Sequence, residues 1–173
     1  MYHQYKDLKL KQLLIIRHAK SSWDNFSQND FDRPLNDRGH RDAPDMAKRL
    51  FEKKIAIDAF ISSPAKRAFT TAQYFAGQYG TAEDNIIQIP GLYHAPAETF
   101  YDIISKTNDT FNTIAVFSHN PGITHFVNGL TSTEIDNMPT SGIFAVKAEI
   151  SRWQDFKKCN KIFWFFSYPK LKA

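Results

Sequence analysis

The stretch Gln12-Leu13-Leu14-Ile15-Ile16-Arg17-His18-Ala19-Lys20 decides the fold of this chain. Residues 12–16 show no polar alternation, the pattern of a strand covered on both faces, as in a parallel sheet. The strand ends by presenting an arginine and a histidine. Two further segments repeat the arrangement. Ala59-Phe60-Ile61 runs into Ser62-Ser63-Pro64-Ala65-Lys66-Arg67-Ala68, and the apolar residues 113–117 run into Ser118-His119-Asn120-Pro121-Gly122. Three strand ends thus each deliver a cation or a histidine. In open α/β sheets ligands sit beyond the carboxyl ends of the strands. Two arginines and two histidines converging there suit a phosphoryl group.

Outward from these strands, the chain alternates strands and helices. Residues 21–34 form a long polar loop carrying Trp23, Phe26 and Phe31. A loop of that length is often a lid or a binding rim. Asn36 or Asp37 caps a helix to about residue 53, with Leu35, Ala43, Met46, Ala47 and Leu50 on its apolar stripe. Pro44 sits awkwardly inside it and marks a kink or a later start. A strand at 58–62 precedes a helix whose first turn takes Pro64 and which stops at Gly80. A short strand follows at 86–89. A helix at 97–106 turns Phe100, Ile103 and Ile104 inward. After the strand at 113–117, Asn120 serves as N-cap with Pro121 at the first helical position, and that helix ends near Gly129. Apolar runs at 142–150 and 161–167 read as strands, separated by a turn with a basic rim. Residues 1–10 read as a frayed tail. The alternation argues for an α/β sandwich with a largely parallel central sheet.

The 173 residues fit one domain, and a hydrophobic share of 42% with 15 Phe predicts a phenylalanine-rich core. The formal charge of +4 is modest and acidic residues are interspersed, so a field that steers an anionic substrate is expected rather than nucleic-acid binding. Cys159 is the only cysteine, so no internal disulfide forms. The longest apolar stretch near the start is about five residues, too short for a signal sequence or a membrane span. A cytoplasmic monomer without a membrane partner is the expectation. There is no zinc, Walker or dinucleotide motif, and no metal or cofactor is expected.

A phosphate carries nearly two charges, and planar guanidinium forks bind its oxygens bidentately at any working pH. Arg17 and Arg67 supply two such forks. A neutral imidazole can attack phosphorus, and nearby cations disfavour its protonation, so His18 is the candidate nucleophile with Arg17 and Arg67 lowering its pKa. Its other ring nitrogen needs an acceptor, such as a backbone carbonyl. His119 is assigned to a phosphate oxygen, as imidazole or imidazolium.

These motifs resemble the histidine phosphatase superfamily, the phosphoglycerate-mutase-like group. The resemblance rests on Arg17-His18, on Ser63-Pro64 with Arg67-Ala68 and Thr71-Ala72, and on Ser118-His119. Arg17-His18-Ala19-Lys20-Ser21-Ser22-Trp23, Asp32-Arg33-Pro34-Leu35-Asn36-Asp37-Arg38-Gly39 and Ser141-Gly142-Ile143 are most similar to the small SixA-type phosphohistidine phosphatases. It spans about residues 13–166. The resemblance implies a three-layer α/β/α sandwich and a metal-free phosphatase with His18 as the phosphorylated nucleophile. Arg17, Arg67 and His119 would complete the phosphate pocket.

Many members use a Glu or Asp to protonate the leaving oxygen. Here no acid stands at a clearly matching place; Glu98 is the best candidate, and Asp24 and Asp32 are weaker. Imidazole leaves far more readily than an alkoxide, so a site lacking a strong acid suits phosphohistidine, although His94 or a water could also donate. Ser22, Arg33, His94 and Ser141 are candidate substrate contacts, and Trp23 either lines the mouth or packs the loop against the body. Arg38 pairs within its own helix. His3, His40 and His125 read as structural or solvated, and Lys157, Lys158, Lys161, Lys170 and Lys172 as a solvated rim. The expected partner is a phosphorylated substrate such as a phosphotransfer protein. The competing readings are a small-molecule phosphomonoesterase, a non-catalytic phosphate-binding module, and nucleic-acid binding through the basic C-terminus.

Overall fold

The first strand, β1 (Leu10–Arg17), lies inside a six-stranded sheet and divides its side chains between two cores. Leu13 and Ile15 enter one hydrophobic cluster, and Leu14 and Ile16 enter the other. This two-sided burial is why the strand lacks polar alternation. The computed structural model describes residues 9–25 and 27–171. The expectations for residues 1–8, including His3, and for Phe26 and Lys172 fall outside the described residues. Leu10 is no tail residue: it pairs with Glu149 across the sheet.

The remaining elements are α1 (Asp37–Glu52), β2 (Ala59–Ser62), α2 (Lys66–Gln78), β3 (Ile87–Gln88), α3 (Ala97–Ser105), β4 (Thr113–Ser118), α4 (Gly122–Asn128), β5 (Ile143–Glu149) and β6 (Ile162–Ser167). The sheet order is β3-β2-β4-β1-β5-β6. The four strands from β3 to β1 pair in parallel, while β5 runs antiparallel to both β1 and β6. The sheet is therefore mixed, with β5 the strand that opposes its neighbours. The turn at residues 150–161 makes β5 and β6 a hairpin, which forces the antiparallel pairing.

Helices α1 and α2 cover one face through Met46, Ala47, Leu50, Ala72, Phe75 and Ala76. Helices α3 and α4 cover the other through Phe100, Ile104, Ile123, Phe126 and Val127. This gives the three-layer α/β/α sandwich. Among the described residues seven phenylalanines are fully buried, including Phe60, Phe75, Phe117 and Phe144. Among the described residues no helix is long and apolar enough to cross a membrane.

Local chemistry moves several boundaries. Asn36 caps α1 by accepting from the Gly39 backbone N–H at 3.0 Å, and the helix continues through Pro44 rather than starting after it. Pro64 lies before α2, not in its first turn. The Ala65 N–H is taken by Ser63 Oγ at 3.3 Å, so residues 63–65 form a bend. Gly80, at φ +71, ends α2 in the left-handed region that favours glycine. Pro121, rather than Asn120, is the N-cap of α4. The Asn120 amide instead donates to Asn137 Oδ1 at 2.6 Å and to the Met138 carbonyl at 3.2 Å, tying down the loop before β5.

Parallel β1, β2 and β4 end on one edge. There the His18 N–H donates to the Ser118 carbonyl at 3.1 Å and the Ser63 N–H to the Phe117 carbonyl at 3.0 Å. Backbone pairing thus gathers the three motif segments.

Candidate active site

His18 follows β1 directly and is only 7% exposed. Its Nδ1 lies 2.7 Å from the Ala19 carbonyl oxygen, which can only accept, so Nδ1 carries the proton. Nε2 is then the bare nitrogen, and Arg67 Nε donates to it at 3.3 Å. Burial pushes the imidazole pKa down to about 3; the Ala19 carbonyl opposes this, while Arg67, Arg17 and Arg33 reinforce it. The cations do lower the pKa as expected, but burial has the larger effect. The ring is neutral, with its lone pair turned to the cationic side.

His119 follows β4, with its ring centroid 5.1 Å from that of His18. Its Nε2 is 2.8 Å from Ser63 Oγ. Burial, then His18 and Arg67, depress its pKa to about 2. The imidazolium form entertained for His119 is therefore absent from the unliganded pocket. Arg17 closes another wall, anchored by Nη1 to the Met138 carbonyl at 2.7 Å.

Arg17 Nε, His119 Nδ1 and Ser141 Oγ are buried and lack hydrogen-bond partners; among the described residues only Tyr79 Oη shares that state. An unsatisfied buried polar atom costs about 1–3 kcal/mol. The three stand on the segments that end β1, follow β4 and precede β5.

The largest surprise is Asp30, in the 21–34 loop. Arg67 donates to it twice, through Nη1 to the carbonyl at 2.5 Å and through Nη2 to Oδ2 at 2.9 Å. Arg33 Nη1 donates to Oδ1 at 2.8 Å, while the Tyr93 hydroxyl at 2.8 Å and His94 Nε2 at 3.2 Å both donate to Oδ2. Burial raises the Asp30 pKa, but hydrogen bonds from Tyr93, Arg33 and Arg67 outweigh it and hold the carboxyl well below the usual range. It is a carboxylate, not a proton donor. Asp24 and Asp32 are engaged within the loop, Asp24 accepting from the Ser22 hydroxyl at 2.7 Å and Asp32 from the Asn29 amide at 2.6 Å. The one hint of Asp30 in the sequence was a loop that had to furnish a counter-charge for Arg33 and Arg67.

The pocket has a volume of about 260 Å³. Arg17, His18, Arg67 and His119 all line it, as do Arg33 and His94. Arg33 is buried, donates through Nη2 to Ser21 Oγ at 2.6 Å and stacks 3.2 Å from the Trp23 ring. Trp23 is at the mouth and 63% exposed, so it does not pack the loop onto the body. Ser141 does not line the pocket; it is buried next to Arg17, its N–H donating to the Arg17 carbonyl at 3.1 Å.

Two further candidates fall elsewhere. Ser22 points to Asp24, and Ser21 takes the place on the wall. Glu98 does not line the pocket; it is exposed on α3 and ion-paired with Lys157. Lys20, Asn120 and Thr140 complete the lining, and none was named a site residue from the sequence. Arg38 does pair within its helix, with Asp42 at 3.5 Å, and His40 Nδ1 lies 2.8 Å from the Tyr74 hydroxyl.

Residues 13–93 match the model of the histidine phosphatase superfamily (branch 1). An uncharacterized chloroplastic protein of Arabidopsis thaliana is 31% identical over 153 residues, covering 84% of this chain and 70% of that one. The fold is similar to that of the protein histidine phosphatase SixA complexed with tungstate, with TM-score 0.77, 24% identity, and 91% and 97% of the two chains covered. It is similar also to a candidate SixA phosphohistidine phosphatase of Agrobacterium tumefaciens, with TM-score 0.76, 23% identity, and 92% and 98% covered.

Proposed function

The chain belongs to the histidine phosphatase superfamily, and from that membership we propose that it is a phosphatase acting on protein phosphohistidine through a phosphorylated His18. His18 Nε2 attacks phosphorus, the substrate P–N bond breaks, and the substrate ring, protonated beforehand on its other nitrogen, takes the bond electrons and leaves as neutral imidazole. Water then attacks phosphohistidine 18, returning neutral His18 and inorganic phosphate. The Nδ1 proton held on the Ala19 carbonyl keeps the ring in the attacking tautomer. Arg17, Arg67 and His119 bind the equatorial oxygens and oppose their growing charge.

One observation carries the choice of substrate. Among the described residues Asp30 is the only carboxylate that lines the pocket, and its hydrogen bonds hold it in its ionised form. A leaving group must therefore depart without a carboxylic acid. Imidazole, with a pKa of about 6.5, tolerates this; an alkoxide does not. The position of Glu98, outside the pocket and paired with Lys157, weighs against the phosphomonoesterase reading, which needs it as acid.

The test is a side-by-side panel of a phosphohistidine phosphotransfer domain, a phosphoserine peptide, sugar phosphates and an aryl phosphate, with wild type and His18→Ala. Phosphohistidine and aryl phosphate should turn over about a hundredfold faster than the alkyl esters, and His18→Ala should abolish both activities. Alkyl esters matching phosphohistidine would overturn the substrate assignment. Turnover surviving in His18→Ala would overturn the nucleophile.

A further inference from the structure

A second cavity, about 560 Å³, adjoins the catalytic pocket. Arg17, Lys20 and Thr140 border both. Beyond that shared wall the cavity is lined by Arg38 and Arg41 of α1 and by Lys170. Five cations thus face one carboxylate, Asp42. The excess is four positive charges along one wall.

The placement is built rather than incidental. Asp42 pairs with Arg38 at 3.5 Å, and Arg38 Nη2 also donates to Thr140 Oγ1 at 3.2 Å. Arg49, itself paired with Asp45 at 2.7 Å, donates through Nη1 to the Pro169 carbonyl at 3.4 Å and the Leu171 carbonyl at 3.2 Å. Those contacts bring the segment carrying Lys170 against α1. Lys20, Arg41 and Lys170 themselves form no ion pair with the described residues. Like charges gathered in a concavity repel one another and raise the local concentration of anions.

We propose that this groove docks an acidic protein surface flanking the phosphorylated residue, with Lys20, Arg41 and Lys170 meeting carboxylates while the phosphoryl group enters the His18 pocket. The proposal deepens the phosphatase reading and rests on it for the group that enters. The groove's preference for carboxylates stands apart from that chemistry. Nucleic acid is the less fitting occupant, because it calls for a cationic track several phosphates long, and here the cations stop at one bowl.

The experiment uses the full chain and two labelled peptides of equal length, neither phosphorylated, one rich in Asp and Glu and one neutral. Fluorescence anisotropy at low salt should show the acidic peptide binding about tenfold more tightly than the neutral one, a preference that fades with added salt. The double variant Arg41→Glu/Lys170→Glu should erase the preference, and Arg41→Ala alone should reduce it. Aryl phosphate turnover should stay within about twofold of wild type in both, which also shows that they are folded. Equal binding of the two peptides by wild type, or a preference surviving in the double variant, overturns the docking site. Duplex DNA or RNA displacing the acidic peptide at lower concentration than a second acidic peptide also overturns it, in favour of nucleic acid. The same two sequences carrying phosphohistidine then serve as substrates. If the acidic peptide binds selectively but neither phosphohistidine form is hydrolysed, the groove stands and the phosphohistidine reading fails.

Discussion

Arg67 Nε donates to His18 Nε2 across 3.3 Å, so a guanidinium rests on the lone pair that the proposed mechanism directs at phosphorus. The contact turns the imidazole toward the pocket and disfavours its protonation. It also means that Arg67 must yield this contact when phosphorus arrives. The fork then has oxygens to bind in its place, which is where a planar, always-charged group outperforms a point charge. Arg67→Lys keeps the charge and loses the fork. Steady-state kinetics with an aryl phosphate should show kcat/KM lower by about two to three orders of magnitude, the range found when an oxyanion donor is removed. A loss of less than about tenfold would mean that charge alone suffices.

The depressed pKa values of His18 and His119, about 3 and about 2, tie stability to pH with a definite sign. Unfolded histidine titrates near 6.5, so between the folded and unfolded values the unfolded chain binds the extra protons. Each ring then contributes stability that is complete above about pH 6.5 and is lost as the pH falls. His18→Gln removes one ring while leaving every carboxylate. Urea unfolding of wild type and His18→Gln from pH 7 to 4.5 should diverge in slope by about 1 kcal/mol per pH unit near pH 5, with wild type the steeper. Parallel curves would refute the buried neutral ring. In the same range catalysis should not lose its nucleophile, and any acid limb should follow the second ionisation of the phosphate, near pH 6.

Asp30 would compete with substrate for Arg67, since its backbone carbonyl takes Nη1 and its carboxylate takes Nη2. Asp30→Asn removes the negative charge and keeps the shape. Inorganic phosphate should inhibit aryl phosphate turnover at a concentration several-fold lower in the variant, roughly a three- to tenfold drop in inhibition constant. Thermal stability should fall, because buried Arg33 and Arg67 lose their counter-charge. An unchanged inhibition constant would show that the 21–34 loop leaves Arg67 before phosphate binds.

What the sequence revealed and what it hid follow from the range of each signal. The buried strands β1 and β4 and the residues just after them were legible because two-sided burial leaves an uninterrupted apolar run, and a charge placed directly after such a run can only sit at the sheet edge. His18, His119 and Arg17 were found that way, and Arg67 by its place in the first turn after β2. Asp30 was not, because its role depends on three donors from distant segments, Arg67, Tyr93 and His94, converging on one loop oxygen. The antiparallel course of β5 was hidden for a related reason: strand direction is set by the connections, and the loop through Pro139 carries no directional pattern. The helix starts near Pro64 and Asn120 were misplaced by one or two residues because Ser63 hydrogen-bonds within its own bend and the Asn120 amide is drawn to Asn137 and Met138, against simple capping rules.

The same contest between motif and packing decides the last residue of the His119-Asn120-Pro121-Gly122 turn. A Cβ on Gly122 would fall inside the van der Waals envelope of the Ala95 carbonyl oxygen and press on the Ala95 carbonyl carbon. Both neighbours are backbone atoms, so no side chain can swing aside. Gly122→Ala must push residues 95–96 away from α4. His94, held at φ +52 with its Nε2 on Asp30, would move with them. Urea denaturation should show a loss of roughly 2–4 kcal/mol, at the high end for a methyl added to a packed site. The folded variant should also lose some grip on the 21–34 loop, seen as faster proteolysis there than in wild type. Stability within 0.5 kcal/mol of wild type, about the scatter of a neutral surface substitution, would show that residues 95–96 can retreat freely and that the glycine is not required for packing.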